Sequence, residues 1–494
     1  MAPEPHTFGR LLAKKSVASL VEQGERQSGL RRTLGPVSLT LLGLGAIIGT
    51  GIFVLTGVAA KNYAGPAIVL SFVVAGLCYA EFASMIPMAG SAYTYSYATM
   101  GELVAWIIGW DLILEYAVGA ATVAIAWSEY FNKVLEYVGM HVPYEWSHSP
   151  LDATEPASGV HGIMNIPAIV ILLLLTALLI RGTRESAFVN SLIVITKVSI
   201  VLMVIAIGWG FINPANHTPY IPAPTTYTTP QGIVHPYGGV MGILGAAGVV
   251  FFAFIGFDAV STAAQEAKDP KRDMPIGILG SLVVCTVLYV LFSHVLSGVA
   301  TVEDFRTAGK EASVTFAITK YMAGYGWLAK FVTFAILAGF SSVILVMLLG
   351  QSRVFFSMSH DGLVPRVFSE VHPRYRTPYK SNMLFFVFTG LFAAFIPEDI
   401  VGEMTSIGTL FAFMLVCAGV WIMRVRRPDL VRGFTVPALP LVAILGIVVC
   451  GAMIFGLGWT NWMRLAVWLI IGLLFYFSYG MSHSRIDAQA GSGR

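Results

Sequence analysis

The feature that most restricts the fold of this chain is a succession of long apolar stretches that carry almost no charge. A helix of roughly 20 apolar residues, rising 1.5 Å per residue, spans the hydrocarbon core of a bilayer. Only 12% of the 494 residues are charged, whereas soluble domains carry about 25% charged residues. One such stretch could be a core helix of a soluble protein. Twelve in succession predict an all-α polytopic membrane protein.

The apolar stretches predict twelve transmembrane helices, with tails at 1–35 and 483–494. The N-terminal tail contains an amphipathic stretch, 8–23, which could lie on the membrane surface or be a solvated tail. Helices 1–5 fill 36–212, helices 6–10 fill 238–424, and helices 11–12 fill 425–482, with an extracellular loop at 213–237. The predicted spans are 36–60, 65–87, 101–130, 163–182, 187–212, 238–264, 274–300, 327–352, 381–397, 403–424, 436–458 and 461–482.

The distribution of Lys and Arg predicts the orientation of these helices. Twelve spans place both termini on one side, and that side carries 22 of the 30 basic residues, against 7 on the other. Basic residues concentrate in cytoplasmic loops. We therefore predict a multi-pass protein of the cell (plasma) membrane with both termini in the cytoplasm.

Two spans contain glycines at positions that favour a break in the helix. The first span contains GAIIGTGIF, where Gly49, Thr50 and Gly51 form a candidate unwound stretch, and the sixth contains FFAFIGFDA at 251–259. Glycine disfavours helix by about 1 kcal/mol relative to alanine, and paired interrupted helices mark the substrate site of many transporters. Such breaks free N–H groups for a carboxylate and carbonyls for an ammonium group, which suits an amino acid. Close helix packing is the alternative explanation for the glycines.

Charged residues inside the spans require a partner or a wet cavity, because each costs about 2.5–3.5 kcal/mol at a helix centre. Lys197 is the only such charge in 187–212. Burial disfavours the charged form of a lysine, which is what a proton-coupling residue requires; a lysine permanently paired with a carboxylate is the alternative. Asp111 and Glu115 share a helix face and serve either structure or function. The charged residues away from the ends of the spans are Glu81, Asp111, Glu115, Lys197 and Asp258.

The sequence gives no sign of an enzyme. The patterns HExxH, GxSxG and GxxxxGK[ST] do not occur, and each would be needed for a common catalytic or phosphate-binding site. The net charge of +3 gives no reason to expect nucleic-acid binding. We predict no cofactor and no metal site.

Four motifs in order resemble the amino acid–polyamine–organocation (APC) superfamily, and most of all a bacterial-type member of its cationic amino acid transporter family. They cover the chain from about residue 30 to about 430 and are LRRTLGPVSLTLLGLGAIIGTGIFVLTG at 30–57, FFAFIGFDAVSTAAQEAKDPKRDMPIGI at 251–278, SMSHDGLVP at 357–365 and HPRYRTP at 372–378. The resemblance implies a LeuT-type five-plus-five inverted repeat with broken helices 1 and 6, plus two extra C-terminal helices.

The resemblance also implies roles for individual residues. The substrate carboxylate would meet the backbone of Gly49, Thr50 and Gly51, and Phe252 would close over the substrate as a gate. Lys197 would take the place of a sodium ion between spans 1 and 8, beside Ser341 or Ser342. The substrate amino group would meet carbonyls of Ile47, Phe252, Ala253 and Ile255.

The side-chain specificity is less constrained. Glu115 is the one acidic residue to test as a clamp for a cationic substrate, Asp258 could belong to a gate or network, and Met347 could narrow the pocket for small side chains.

These observations predict a proton-coupled L-amino-acid symporter that works by alternating access. An exchanger of amino acids or polyamines with the same fold is the alternative, and a membrane-embedded amino-acid sensor is a further one. The substrate side chain, the oligomeric state and any small accessory membrane subunit are not determined by the sequence.

Overall fold

The computed structural model is helical and describes most of the chain. The described residues are 32–49, 52–53, 56–73, 92–152, 159–228, 234–254, 256, 259–307, 313–426, 439–456 and 459–485. Several predictions fall outside them, namely those for most of the N-terminal tail, Thr50, Gly51, Glu81, Ile255 and Asp258.

Helices occupy part of every predicted span. The second span contributes a helical stretch at 68–73 to the described residues. The helices are α1 Pro36–Ile47, α2 Thr56–Ala59, α3 Ala92–Thr99, α4 Glu102–Ile113, α5 Gly119–Glu136, α6 Ile166–Arg181, α7 Thr183–Gly208, α8 Gly239–Phe251, α9 Ala259–Thr262, α10 Pro270–Val299, α11 Val302–Thr307, α12 Ser313–Tyr321, α13 Gly326–His360, α14 Tyr379–Phe395, α15 Glu398–Arg426, α16 Leu439–Gly456, α17 Trp459–Phe475 and α18 Met481–His483.

Short irregular turns and one hairpin join these helices. A π-helical turn, Leu114–Val118, links α4 to α5, so that 102–136 is one continuous helix with a bulge. Strands β1 Thr225–Thr228 and β2 Val234–Tyr237 form an antiparallel hairpin in which Thr225 pairs with Tyr237. The other irregular turns are Ala60–Ala64, Gly65–Ala67, Tyr144–Trp146, Trp209–Phe211, Pro214–His217, Phe252–Phe254, Ala263–Glu266, Arg366–Ser369 and Tyr476–Gly480.

Six helices of the described chain are long and apolar enough to cross a membrane, and α1, α6 and α14 are shorter apolar helices. The helices of the first and sixth predicted spans are too short to cross a membrane because each span is interrupted. Helices α6 and α14 are also short, with only 16 and 17 residues. The prediction of a helical membrane protein is thus confirmed, while the count of twelve spans and the inverted repeat stay predictions.

The burial pattern distinguishes central from peripheral helices. The helix 102–136 and α13 are buried along most of their length, and 459–483 is largely exposed. On α7, the exposed Phe188, Leu192, Ile195 and Leu202 form one apolar face. An apolar face of this kind is stable against lipid, because lipid offers apolar contact and no water. The short helix α1 packs against α7, α10 and α13, which places it inside the bundle.

A polar cluster fastens the connection between α10 and α13. Thr301 and Asp304 form a capping box at the start of α11, in which the Thr301 amide donates to the Asp304 carboxylate at 2.9 Å and the Asp304 amide donates to the Thr301 hydroxyl at 3.2 Å. The Thr301 hydroxyl also donates to that carboxylate at 2.6 Å. Lys320 and Tyr321, at the end of α12, donate to the same carboxylate at 2.5 and 2.6 Å. Burial by itself would raise the pKa of Asp304, but hydrogen bonds from Lys320, Thr301 and Tyr321 outweigh it and hold the pKa below its ordinary value.

Candidate functional site

The first predicted span is interrupted in its middle. Helix α1 ends at Ile47, and Ile48 takes an extended conformation with φ −78° and ψ 95°. Residues 52–53 are π-helical, and the next α-helix of the described chain, α2, begins at Thr56. A Cβ atom on Gly49 would lie 2.8 Å from Cγ2 of Val343, so α13 approaches the break as closely as a glycine allows. This interruption lies at the glycine-rich stretch that the sequence singles out.

The sixth predicted span is interrupted at the matching place. Helix α8 ends at Phe251, one 3-10 turn follows, and α9 begins at Ala259. Gly256 adopts φ +100°, a backbone conformation that strongly favours glycine. A Cβ on Gly256 would lie 2.8 Å from Cβ of Ala46. The sixth-span interruption at Gly256 therefore packs directly against the last turn of α1, which the sequence pattern alone did not establish.

A tyrosine that the sequence analysis missed bridges the two breaks. The hydroxyl of Tyr289, on α10, lies 2.7 Å from the Ile47 carbonyl and 3.0 Å from the Ala253 carbonyl. Both carbonyls are predicted acceptors for a substrate ammonium group. The hydroxyl has one proton, so it donates to one of these carbonyls at a time. A carbonyl oxygen has two lone pairs, so each carbonyl can also accept from a second donor. Tyr289 thereby fixes the spacing of the two carbonyls.

Lys197 reaches the end of α1 from the middle of α7. Its side chain is fully buried, and Nζ donates to the Gly45 carbonyl at 2.9 Å, the Ile48 carbonyl at 2.6 Å and the Ser342 hydroxyl at 2.7 Å. An ammonium group has three donors, and these three acceptors use all of them. Among the described residues, no carboxylate lies within ion-pair distance of this nitrogen.

Two adjacent serines on α13 have different partners. Ser342 accepts from Lys197, and its own hydroxyl lies 2.9 Å from the Gly45 carbonyl and 2.8 Å from the Gly339 carbonyl. Ser341 instead accepts from the indole N–H of Trp127 at 2.9 Å. The structure therefore brings Ser342, and not Ser341, to the lysine.

The remaining predicted residues lie on elements other than α7. Glu115 is buried in the π-helical turn before α5, and Asp111 is buried one turn earlier. Met347 is buried on α13 and faces α5, where a Cβ on Gly119 would lie 3.4 Å from its sulfur. The backbone of Phe252 belongs to the 3-10 turn after α8, and its side chain lies outside the described part of the structure.

A buried ion pair fastens one end of the bundle, and the sequence analysis did not single it out. Arg353 Nη2 donates to Glu266 Oε1 at 2.7 Å, and both side chains are almost fully buried. The Glu266 carbonyl also accepts from the amides of Thr33 and Leu34 at 2.9 and 3.0 Å, and Lys268 N donates to the Leu34 carbonyl at 2.8 Å. The segment that enters α1 is thus joined to the segment that leaves the sixth span, and both are tied to α13.

Interrupted apolar helices that meet beside a buried cation are typical of membrane transporters of small molecules. The family follows from sequence comparison: the amino acid permease family matches residues 34–476. The chain belongs to this family, and its predicted membership of the APC superfamily is confirmed.

Relatives cover nearly the whole chain. It is 43% identical to the branched-chain amino acid permease BcaP of Bacillus subtilis over 97% of this chain and 99% of that protein. It is 38% identical to the methylthioribose transporter of the same organism over 97% and 99%. It is 32% identical to the cationic amino acid transporter 4 of Mus musculus over 86% of this chain and 65% of that protein.

Proposed function

We propose that this protein is a proton-coupled symporter that takes up L-amino acids by alternating access. The observation that carries the proposal is the buried ammonium group of Lys197, which donates to two backbone carbonyls at the end of α1 and to Ser342 on α13. A cation at this place is favoured by the negative end of the α1 dipole. The ammonium group of the lysine would therefore take the place of the metal cation that ion-coupled transporters bind.

The proton would control the position of α1. With Nζ protonated, Lys197 links the carbonyls of Gly45 and Ile48 to α13 through Ser342. Loss of the proton removes one donor and the positive charge, which weakens all three contacts. The end of α1 could then move relative to α13, and this is the motion that alternating access requires.

The substrate would bind in the adjoining gap between the two breaks. Its carboxylate would accept from the N–H groups of Gly49, Thr50 and Gly51. Its ammonium group would donate to carbonyls on the two interrupted spans, and Phe252 would close over it. Tyr289 would hold two of these carbonyls, those of Ile47 and Ala253, at a fixed spacing. The proposed ammonium acceptors are Ile47, Phe252, Ala253 and Ile255.

We propose a neutral aliphatic amino acid as the substrate. The side chain that touches the first break from α13 is Val343, and Met347 follows it one turn along the same helix face. Both are apolar, and apolar pockets favour aliphatic side chains. The relative that is 43% identical over 97% of this chain is a branched-chain amino acid permease, which supports the same class.

Uptake into proteoliposomes tests this proposal. A thermal-shift screen against the twenty amino acids selects a ligand, and its radiolabelled form is then offered with an inward proton gradient, with an inward sodium gradient, or with neither. We expect accumulation with the proton gradient alone. Accumulation driven by sodium would refute proton coupling, exchange without net uptake would identify an exchanger, and binding without translocation would identify a sensor.

The proposed location is the cell membrane, with both chain termini in the cytoplasm. The excess of basic residues on the side that carries the termini supports this orientation. Cysteine labelling at Lys330, which is exposed at the start of α13, tests it: an impermeant maleimide should reach Lys330→Cys from outside intact cells. Labelling only after lysis would show that the protein has the opposite orientation in the membrane.

A further inference from the structure

Two arginines end the exposed apolar faces of neighbouring helices. On α6, Val170 and Leu174 are exposed apolar side chains, and the exposed Arg181 lies on the same face at the last residue of the helix. On α7, the exposed Arg184 precedes the exposed Phe188 by four residues and shares its face. Residues four and seven apart lie on one side of a helix. Both arginines therefore lie where an apolar face ends, which is the level of the lipid headgroups.

A tight corner holds these two arginines and joins them to the segment before α14. Only Gly182 separates α6 from α7. Its amide donates to the Leu178 carbonyl at 3.2 Å, and its carbonyl accepts from the Ser186 hydroxyl at 2.8 Å. The Thr377 hydroxyl donates to the Ile180 carbonyl at 2.7 Å. The chain that leads into α14 is therefore fixed beside the end of α6.

That segment carries two more arginines. It forms a closed loop, because the His372 amide donates to the Thr377 carbonyl at 2.8 Å and the Arg376 amide donates to the His372 carbonyl at 2.9 Å. The ring nitrogen Nδ1 of His372 accepts from the Arg374 amide at 3.2 Å. Arg374 and Arg376 are both exposed. A loop with a defined backbone therefore carries them beside the corner.

The charge of these four arginines is not balanced by acidic neighbours. Within the described ranges, none of the four takes part in an ion pair. The segments 181–185 and 366–380 contain six Lys and Arg residues and two acidic residues. Of the two acidic residues, Glu370 pairs with Lys380, and Glu185 lies over Gly182. The corner therefore has an excess of positive charge at the edge of the apolar surface.

We propose that this basic corner binds the headgroup of an anionic phospholipid. The guanidinium fork of arginine matches the oxygens of a phosphate group, and basic clusters at the ends of membrane helices bind such headgroups. The exposed apolar faces of α6 and α7, which begin at the same level, contact the acyl chains. A lipid satisfies both the charge and the apolar faces, whereas a small soluble anion satisfies only the charge. This site is independent of the transported substrate.

Native mass spectrometry of the full-length protein tests the proposal. The protein in neutral detergent is titrated with a phosphatidylglycerol and with a phosphatidylcholine that has the same acyl chains. We expect the phosphatidylglycerol to bind more tightly. Each basic residue near the headgroups contributes about 1 kcal/mol, or roughly fivefold in affinity. The double variant Arg374→Gln with Arg376→Gln should therefore bind phosphatidylglycerol about 30-fold more weakly.

Lys133→Gln with Lys330→Gln is the matched control, because it removes two positive charges from the end of α5 and the start of α13. It should bind phosphatidylglycerol as the wild type does, and an equal loss in this control would overturn the proposal. Equal binding of the two lipids would overturn it as well.

Two further measurements complete the test. Inorganic phosphate at a concentration equal to that of the lipid should not displace phosphatidylglycerol; complete displacement would show a small-anion site and overturn the proposal. If the variant of Arg374 and Arg376 does not fold, Arg181→Gln with Arg184→Gln removes the other two charges and should show the same loss. Unchanged binding in that variant would overturn the proposal.

Discussion

Replacing Lys197 by alanine should separate transport from its driving force. The substitution removes three hydrogen bonds of 2.6–2.9 Å. The Gly45 carbonyl keeps the hydroxyl of Ser342 as a donor, whereas the Ile48 carbonyl loses the lysine. One buried carbonyl left without this donor costs about 1–3 kcal/mol, and the variant no longer has to bury a charge. The fold should therefore survive.

The loss of coupling has a defined size. A single titrating lysine moves one proton per cycle, and a difference of one pH unit corresponds to about 1.4 kcal/mol, or a tenfold concentration ratio. Wild-type proteoliposomes should therefore accumulate substrate up to about tenfold under that gradient. Lys197→Ala should only equilibrate its substrate, while counterflow between equal pH compartments continues.

The assay measures accumulated label in proteoliposomes with and without the pH gradient, and counterflow in the same preparations. Lys330→Ala is the matched control, because Lys330 is exposed and lies 5.5 Å from the Tyr137 ring. It should accumulate substrate as the wild type does. Gradient-driven accumulation by Lys197→Ala at the wild-type level would refute the role of the lysine.

Three further changes test the contacts around the site. Tyr289→Phe removes the hydroxyl that joins the two breaks, which should cost about 1–3 kcal/mol and lower the thermal midpoint; an unchanged midpoint would mean that the bridge contributes nothing. Arg353→Ala removes a buried partner of Glu266 and should destabilise the protein by about 3–5 kcal/mol, with partial recovery in Arg353→Lys, both read by thermal unfolding in detergent. Asp304 has a pKa held below its ordinary value, so its contribution is complete above about pH 4 and is lost as the pH falls through the folded-state pKa. Asp304→Asn should therefore lower the thermal midpoint at neutral pH and narrow the gap to the wild type in acid, whereas a gap that widens in acid would contradict this sign.

The resemblance implied that Lys197 lies between spans 1 and 8 but did not determine its partner on span 8. A single charge in the middle of an apolar helix must find polar partners inside the bundle, and the family motifs indicated spans 1 and 8. They left Ser341 and Ser342 open. Adjacent residues on a helix point about 100° apart, so the rotation of α13 in the bundle selects Ser342 for Lys197 and Ser341 for Trp127.

The sequence by itself determined that this chain is helical, belongs in a membrane and has two glycine-containing stretches at which a helix is easily interrupted. Lipid offers no hydrogen bonds, so the backbone must satisfy its own, and only glycine-rich stretches depart from helix at low cost. Only the tertiary structure decided which groups meet at those points. Tyr289 and Val343 are far from the first break in sequence. Their proximity depends on how whole helices pack, a property that no local pattern encodes.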